Sequence, residues 1–307
     1  MYSDSAIHST LFFLASLLLL VLTYRQFFYK TSEAFTQNGR FVLQQNTAIY
    51  DEFYIEIYDK LMLPDERAKT EVEQIVEMTQ PSKKGSVILD VGCGTGDCVA
   101  LFAEKGYEVY GCDQSYEMIQ KAKDKFSEAK FEQGDALITM LYDRNTFSHI
   151  LCTYYTIYEI EDKKLFFKNC YYWMQPGGYL VLHLVDRDHF CPIVPAGRPY
   201  AVDNISDLQE FADKRLKNTR IDFGDFVYES VYRFDSLEVD STVVHIEEFE
   251  DKLNGNIRQN EQTLYMEKTG DILKLAIRSG FLVKGKAIMR GSGGDKNQFL
   301  YVLERTL

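Results

Sequence analysis

The sequence contains no Lys/Arg-rich run. Its 34 basic residues stand against 46 acidic ones, a formal charge of −12, which is the wrong sign for docking along a phosphate backbone. Nucleic acid is therefore not expected as a partner. The chain also lacks cysteine pairing. Cys93, Cys98, Cys112, Cys152, Cys170 and Cys191 form no C-x-x-C pair and have no His-rich partner segment. Such spacing supports neither a metal-ligand set nor a disulfide framework, so no metal is expected. Several of the six sit inside apolar runs, where a free Cys behaves as a small hydrophobe. Reduced core cysteines in a cytosolic domain are the expectation. No internal repeat is present. Apolar mass is not lacking: 46% of the 307 residues are hydrophobic. That excludes global disorder and fits one large domain or two small ones.

The first apolar feature is LFFLASLLLLVL, residues 11–22, with no charge and a single Ser. Twelve helical residues span ~18 Å at ~1.5 Å each, short of a ~30 Å hydrocarbon core. Extended from Ile7 to Tyr24, with Phe27, Phe28 and Tyr29 as interfacial aromatics, the segment approaches the required length. A signal peptide would carry positive charge before the run and a small-x-small site after it. Here Asp4 precedes the run, and Arg25 and Lys30 follow it. The expectation is a single-pass membrane anchor over residues 1–30, with the positive-inside bias leaving the rest of the chain in the cytosol. A polar stalk over 31–45 and a folded domain over 46–307 follow. A signal peptide and a buried globular helix are the alternatives.

From Ala48 onward, helix and strand signals alternate. In AIYDEFYIEIYDKL, Tyr50, Tyr54 and Tyr58 recur at i, i+4 and i+8, one face of a predicted helix. Pro64-Asp65-Glu66 opens a second helix and Pro81 ends it. Residues 86–91 form a short apolar run suited to a strand buried on both faces. Further strands are predicted over 107–112, 130–132, 148–153 and 179–185, with helices between them. That alternation implies a mostly parallel sheet with right-handed crossovers. Near the C-terminus, predicted strands over 281–289 and 298–304 are joined too briefly to be parallel. Within residues 200–268, strands over 243–250 and 257–266 flank Asn254-Gly255, a hairpin dipeptide. This segment reads as an inserted lid folding over the sheet edge.

The central motif is Val87-Ile88-Leu89-Asp90-Val91-Gly92-Cys93-Gly94-Thr95-Gly96. A strand runs into a glycine-rich turn that opens a helix, at the carboxyl edge where parallel sheets bind ligands. At the end of the next strand stands Asp113, whose carboxylate can accept both hydroxyl hydrogens of an adenosine ribose. A nicotinamide dinucleotide is the competing ligand. Its fingerprint asks for Gly-x-Gly-x-x-Gly, and the third required position holds Asp97, a negative charge where a pyrophosphate would sit. A ligand with a ribose and no phosphate suits the loop better, and S-adenosylmethionine is such a ligand.

LDVGCGTGD followed by GCDQSYEMIQKA resembles the first two motifs of class I S-adenosylmethionine-dependent methyltransferases. The likeness continues through Gly134-Asp135-Ala136 and through MQPGGYLVLHLV, where Gln175 replaces that family's usual Lys. It covers roughly Ala48 to Leu303. The resemblance implies an α/β fold: a seven-stranded, mostly parallel Rossmann-like sheet with an antiparallel terminal strand, carrying the β-hairpin lid. It implies that Asp90 helps hold the loop and the methionine amino group, and that Gly92, Cys93 and Gly94 give backbone access. Asp113 would bind the ribose, Gln114 and Met118 would flank the adenosine, and Asp135 and Ala136 would meet the adenine edge. Cys152 would approach the methionine moiety. Tyr50 and Tyr54 resemble the N-terminal helix that closes over the cofactor in this family.

Methyl transfer from a sulfonium is an in-line displacement, in which the protein supplies alignment and desolvation. An amine acceptor needs a place to lose its proton, and a hydroxyl needs a general base. Candidates on and after the fourth and fifth strands are Tyr154, Tyr155, Tyr158, Glu159, His183 and His189. Of these, Tyr154, His183 and His189 are singled out for catalysis and Tyr155 for substrate binding. The tyrosines could equally be core, although an aromatic wall also favours a cationic group. In the hairpin, Arg258, Glu261 and Tyr265 are expected to face substrate, within a segment that resembles the lid strand of small-molecule N-methyltransferases. The expected reaction is methyl transfer to a small-molecule N or O nucleophile. A membrane-lipid or isoprenoid acceptor and a non-enzymatic tethered scaffold are the alternatives. The sequence leaves the oligomeric state open.

Overall fold

In a computed structural model of the chain, the residues described are 13–14, 16–17, 39–197, 217–234, 241–290 and 295–307, Glu66 in its backbone alone. They fall in two units, Met1–Asn38 and Gly39–Leu307. In the first, Phe13, Leu14, Ser16 and Leu17 are helical and exposed. Among the described residues no helix is long and apolar enough to cross a membrane. Apart from those four residues, the expected anchor over 1–30 lies outside the described residues, as does most of the expected stalk.

The second unit opens with strand β1 (Phe41–Gln45) and a 3-10 turn (Asn46–Ile49). Helix α1 (Glu52–Met62) follows, capped by Asp51, whose side chain accepts from the Tyr54 amide at 3.1 Å. Helix α2 (Pro64–Thr79) starts on a proline, whose missing N–H is no loss in a first turn. Next come β2 (Val87–Val91), α3 (Asp97–Glu104), β3 (Glu108–Asp113), α4 (Tyr116–Lys125), β4 (Lys130–Gln133) and β5 (Phe147–Cys152). A short α5 (Thr156–Glu159), α6 (Lys163–Trp173) and β6 (Met174–Val185) complete the alternation. Strands β7 (Asn218–Asp222), β8 (Phe226–Phe234), β9 (Thr242–Asp251) and β10 (Ile257–Tyr265) belong to a second sheet. The chain then returns through α7 (Thr269–Arg278) to β11 (Phe281–Ile288) and β12 (Gln298–Arg305).

The main sheet has seven strands in the order β11-β12-β6-β5-β2-β3-β4. The five from β6 to β4 run parallel, and β12 is antiparallel to both its neighbours. This is the mostly parallel sheet with one reversed strand that the sequence predicts. Alternation along β2 feeds two cores. Ile88 packs with Val72 and Ile75 of α2, Val99 and Phe102 of α3, and Ile119 of α4. Leu89 packs on the other face with Phe166, Phe167 and Trp173 of α6 and Ile272 of α7. Each such side chain contributes about 1.5–3 kcal/mol when fully buried, so both helical layers are fastened to the strand that ends in the glycine turn.

Three expectations are corrected. Residues Phe41–Gln45, read as the end of a polar stalk, form β1, which pairs in parallel with β10 from Phe41↔Ile257 to Gln45↔Glu261. FVLQQ leaves every other residue exposed, so its composition looks like linker while its pairing is that of a sheet edge. The inserted hairpin is in turn part of a five-stranded sheet, β1-β10-β9-β8-β7. Residues 200–216 and 235–240 of the predicted insertion lie outside those described. Finally, Tyr50 precedes helix α1 rather than sharing its face, because Asp51 supplies the cap.

Candidate active site

Strand β2 stops at Gly92, where φ is +70°. A Cβ there would stand 2.4 Å from Thr156 Cγ2, and one at Gly96, φ +89°, would stand 2.6 Å from the Phe131 ring. Both the backbone conformation and the space exclude a side chain at these two positions. The turn hangs from the adjacent strand: the Gly92 and Cys93 amides donate to the Cys112 carbonyl at 2.8 and 3.1 Å. Asp113, ending β3, accepts from the Gly94 amide through Oδ2 and from the Ser115 amide through Oδ1, each at 2.9 Å. Each carboxylate oxygen retains capacity for a further donor.

Above the turn lies a cavity of about 650 Å³, a size typical of small-molecule sites. Twelve of the sequence-predicted residues line it: Tyr50, Asp90, Gly92, Cys93, Gly94, Asp113, Gln114, Met118, Asp135, Ala136, Tyr154 and Tyr265. The 3-10 turn and Gln262, Thr263 and Tyr265 of or beside the second sheet's strand β10 form part of the wall, so that sheet closes the site.

The wall is strongly acidic. Asp90, Asp97, Asp113, Glu117, Asp135, Glu159 and Glu161 face it, against Arg67 alone among the basic residues. Arg67 is itself committed, pairing with Glu71 at 3.2 Å and lying 3.3 Å over the Tyr154 ring. Burial pushes the Asp90 carboxyl up to about 8, with the charges of Glu71 and Asp113 adding to it and Arg67 opposing. Desolvation also raises Asp113, against the amides of Ser115, Gly94 and Gln114, which lower it. Glu159 is open to the cavity, yet the protein around it strips away bulk water and pushes its carboxyl up to about 7. The Tyr50 hydroxyl, donating to Glu159 at 2.9 Å, works the other way. Asp97 is paired with Lys125 at 2.9 Å. The repulsion it was expected to exert on a pyrophosphate is correspondingly reduced.

Seven predicted residues do not line this cavity. His189 is on the exposed loop after β6, with Nδ1 3.0 Å from Asp186. His183 points from β6 into the core, its ring 5.0 Å from that of Tyr155. Cys152 is fully buried at the end of β5. Tyr54 donates to Glu247 Oε1 at 3.0 Å, and with Tyr155 it opens on a smaller neighbouring cavity. Arg258 is an internal brace: it reaches Asp51 Oδ2 at 2.8 Å, the Ile49 carbonyl at 3.2 Å and Asn260 Oδ1 at 2.9 Å. Its guanidinium also lies 4.4 Å over Phe53. Glu261 accepts from Gln45 across the β1–β10 pairing at 3.1 Å. Glu159, named among the candidates for taking a proton, also lines the cavity, while reasoning from sequence left Tyr58, Arg67, Thr156, Gln262 and Thr263 without a role in the site. The period of two along β10 separates Arg258, Asn260 and Gln262 from Glu261, a signal that would have split the predicted substrate trio.

Residues 88–178 match the family model described as a methyltransferase domain. Phosphoethanolamine N-methyltransferase 1 of Triticum aestivum is 36% identical over 106 residues, covering 33% of this chain and 21% of the relative. The chain thus spans about a fifth of the length of the curated relatives it matches first. The YqeM protein of Bacillus subtilis (strain 168), named as a methyltransferase, is 28% identical over 216 residues, covering 67% of this chain and 84% of the relative. Among solved structures, S-adenosylmethionine-bound CalS10, an amino pentose methyltransferase from Micromonospora echinaspora, aligns with a TM-score of 0.53 at 17% identity, covering 79% of this chain and 91% of its own. At that identity the likeness is one of fold. Sheet order, glycine turn and domain match agree: residues 88–178 match a methyltransferase domain, and the chain has the Rossmann-like fold of solved S-adenosylmethionine-dependent methyltransferases.

Proposed function

We propose that the chain transfers a methyl group from S-adenosylmethionine to a small-molecule acceptor bearing a nitrogen or oxygen nucleophile. The observation that carries this reading is Asp113. Its carboxylate is fixed by two backbone amides and faces a cavity floored by a turn in which Gly92 and Gly96 leave no room for a side chain. Asp113 would hold the ribose, Gln114 and Met118 would flank the adenosine, and Asp135 and Ala136 would meet the adenine edge. Asp90 suits a neighbouring ammonium group, whose charge would draw its raised pKa back down. S-adenosylmethionine, when bound, supplies an electrophilic methyl group on sulfur. The chain's own residues align the acceptor with it and exclude water. Relatives named for phosphoethanolamine and an amino pentose support a small polar acceptor, and the acidic wall supports it over a lipid or isoprenoid.

The test is calorimetric titration of the folded chain with S-adenosylmethionine and its demethylated product, S-adenosylhomocysteine, using a nicotinamide dinucleotide as control. Saturable binding of the first two is expected. A folded sample that binds neither would refute the reading, and binding of the dinucleotide instead would replace it.

The apolar run over residues 11–22 supports a second element, a single-pass anchor that holds the domain on the cytosolic face of a membrane. The full chain is expected in alkali-resistant membranes, and a chain lacking residues 1–38 in the supernatant. Equal partitioning of the two would dismiss the anchor.

A further inference from the structure

Beside the cofactor cavity lies a smaller one of about 60 Å³, room for several waters or for one small head group. The two cavities share Tyr50, Tyr58, Tyr154, Glu159 and Gln262. Six tyrosines line the smaller one: Tyr50, Tyr54, Tyr58, Tyr154, Tyr155 and Tyr232. Its carboxylate is Glu159, at the junction with the larger cavity. The rings meet edge-on or tilted rather than stacked. Tyr50 and Tyr54 are 5.8 Å apart at 67°, Tyr54 and Tyr58 6.0 Å at 64°, and Tyr154 and Tyr155 5.0 Å at 55°. Tyr154 and Tyr155 occupy left-handed backbone at φ +45° and +68°, a conformation bulky residues rarely hold and one that concentrates at functional sites. This turn places consecutive aromatic rings on one small wall. Glu159 is held there by the Tyr50 hydroxyl at 2.9 Å, and Tyr50 in turn accepts from Gln262 Nε2 at 3.0 Å.

We propose that this tyrosine-lined cavity is the acceptor subsite, that it takes an amine as its ammonium head, and that Glu159 receives the proton. The proposal rests on the methyl-transfer reading above and adds the acceptor class and the base. Ring faces attract a cation by their quadrupole, and the adjoining acidic wall repels an anionic head. The acceptor R–NH3+ gives one proton to the Glu159 carboxylate, freeing its lone pair. That lone pair forms the N–C bond to the methyl carbon as the C–S bond breaks, and the C–S electron pair remains on sulfur as a neutral thioether. The product leaves as the methylated ammonium, and Glu159 passes its proton to water. Desolvation by the protein around it raises the Glu159 carboxyl to about 7, although its side chain is open to the cavity, and there it can both take and release a proton at neutral pH. The titratable and charged groups around it are Tyr50 and Tyr58 beside and on α1, Arg67 from α2, which covers one face of Tyr154 and is paired with Glu71, Asp113 from β3, Cys152 from β5, Tyr154, Tyr232 from β8 and His245 from β9. Burial moves His245 down, and Tyr50, Tyr58 and Tyr232 up.

The experiment is calorimetry on the full chain saturated with S-adenosylhomocysteine, with choline as probe and its uncharged carbon isostere, dimethylbutanol, as control. Choline keeps its charge at every pH, so any pH dependence belongs to the protein. Choline is expected to bind at least about tenfold more tightly than the isostere, and to weaken as pH falls through about 7. Glu159→Gln is expected to weaken choline and flatten that profile while S-adenosylhomocysteine affinity persists. Tyr232→Phe should keep choline binding, and Tyr232→Leu should reduce it. Equal binding of cation and isostere, binding of neither, or an unchanged profile in Glu159→Gln overturns the subsite while leaving the methyl-transfer reading standing. Failure of S-adenosylhomocysteine to bind the folded wild type overturns both.

Discussion

Asp113→Asn alters little in shape and much in hydrogen bonding. The carboxylate accepts from two amides on its two sides, Gly94 through one oxygen and Ser115 through the other. A carboxamide offers one acceptor oxygen and one donor nitrogen, so in either orientation an NH2 faces an N–H. One amide loses its partner, at about 1–3 kcal/mol, and either the glycine turn or the start of α4 must shift. A ribose hydroxyl also loses a charge-assisted acceptor, at about 1.5–3 kcal/mol. With about 1.4 kcal/mol per tenfold, S-adenosylhomocysteine affinity should fall about ten- to a hundredfold. The unfolding temperature should drop by a few degrees. Calorimetry at fixed salt reads the first, and a thermal melt of the same sample reads the second. A folded Asp113→Asn protein that binds within about threefold of wild type would refute the ribose assignment, whatever its melting temperature.

Gly96→Ala forces a Cβ to within 2.6 Å of the Phe131 ring at φ +89°. Left-handed strain and overpacking together should cost roughly 2–5 kcal/mol in urea unfolding, and Phe131→Leu should recover part of it. Asp90 has a folded pKa raised to about 8 by burial. Its contribution to stability is therefore complete below its ordinary carboxylate value and is lost as pH rises through about 8. Thermal melts across that window should show the decline in wild type and a flatter profile in Asp90→Asn; parallel profiles would reject the burial argument. Arg258→Ala removes the donor to Asp51 and the Ile49 carbonyl and the stacking over Phe53. It should destabilise by about 2–4 kcal/mol without changing S-adenosylhomocysteine affinity. A binding defect in a stable Arg258→Ala protein would return that residue to the substrate wall.

Local chemistry was legible in the sequence. The Gly92–Gly96 turn, the apolar β2 and the acid closing β3 are set by backbone conformation, burial and reach within about 25 residues, and each lies where its pattern placed it. Long-range pairing was not. Nothing in FVLQQ announces that Phe41 will lie beside Ile257, since a polar edge strand and a linker share a composition. The same blindness affected the catalytic candidates. His189 has the right chemistry but sits on an exposed loop beside Asp186, while Glu159, one candidate among six in the sequence, is set apart only by Tyr50 and Gln262 brought to it from distant segments. Arg258 looked like a ligand-binding cation because a buried brace and a binding residue carry the same side chain. Burial and partners, not identity, tell them apart.

The placing of β12 between β6 and β11, and of β1 against β10, fixes an order of events on the ribosome. Translation at ~5–20 residues per second makes β6 more than a hundred residues before β12 and β1 about two hundred residues before β10. For seconds to tens of seconds the nascent chain therefore carries two strand edges whose partners do not yet exist. Such edges are templates for wrong pairing. The glycine turn and its parallel neighbours can form early. The wall that closes the cavity cannot, so a cofactor bound to a half-made chain would meet an open cleft rather than a site. Faster elongation or chaperone cover across residues 186–297 should therefore favour recovery of soluble protein more than the same intervention earlier in the chain.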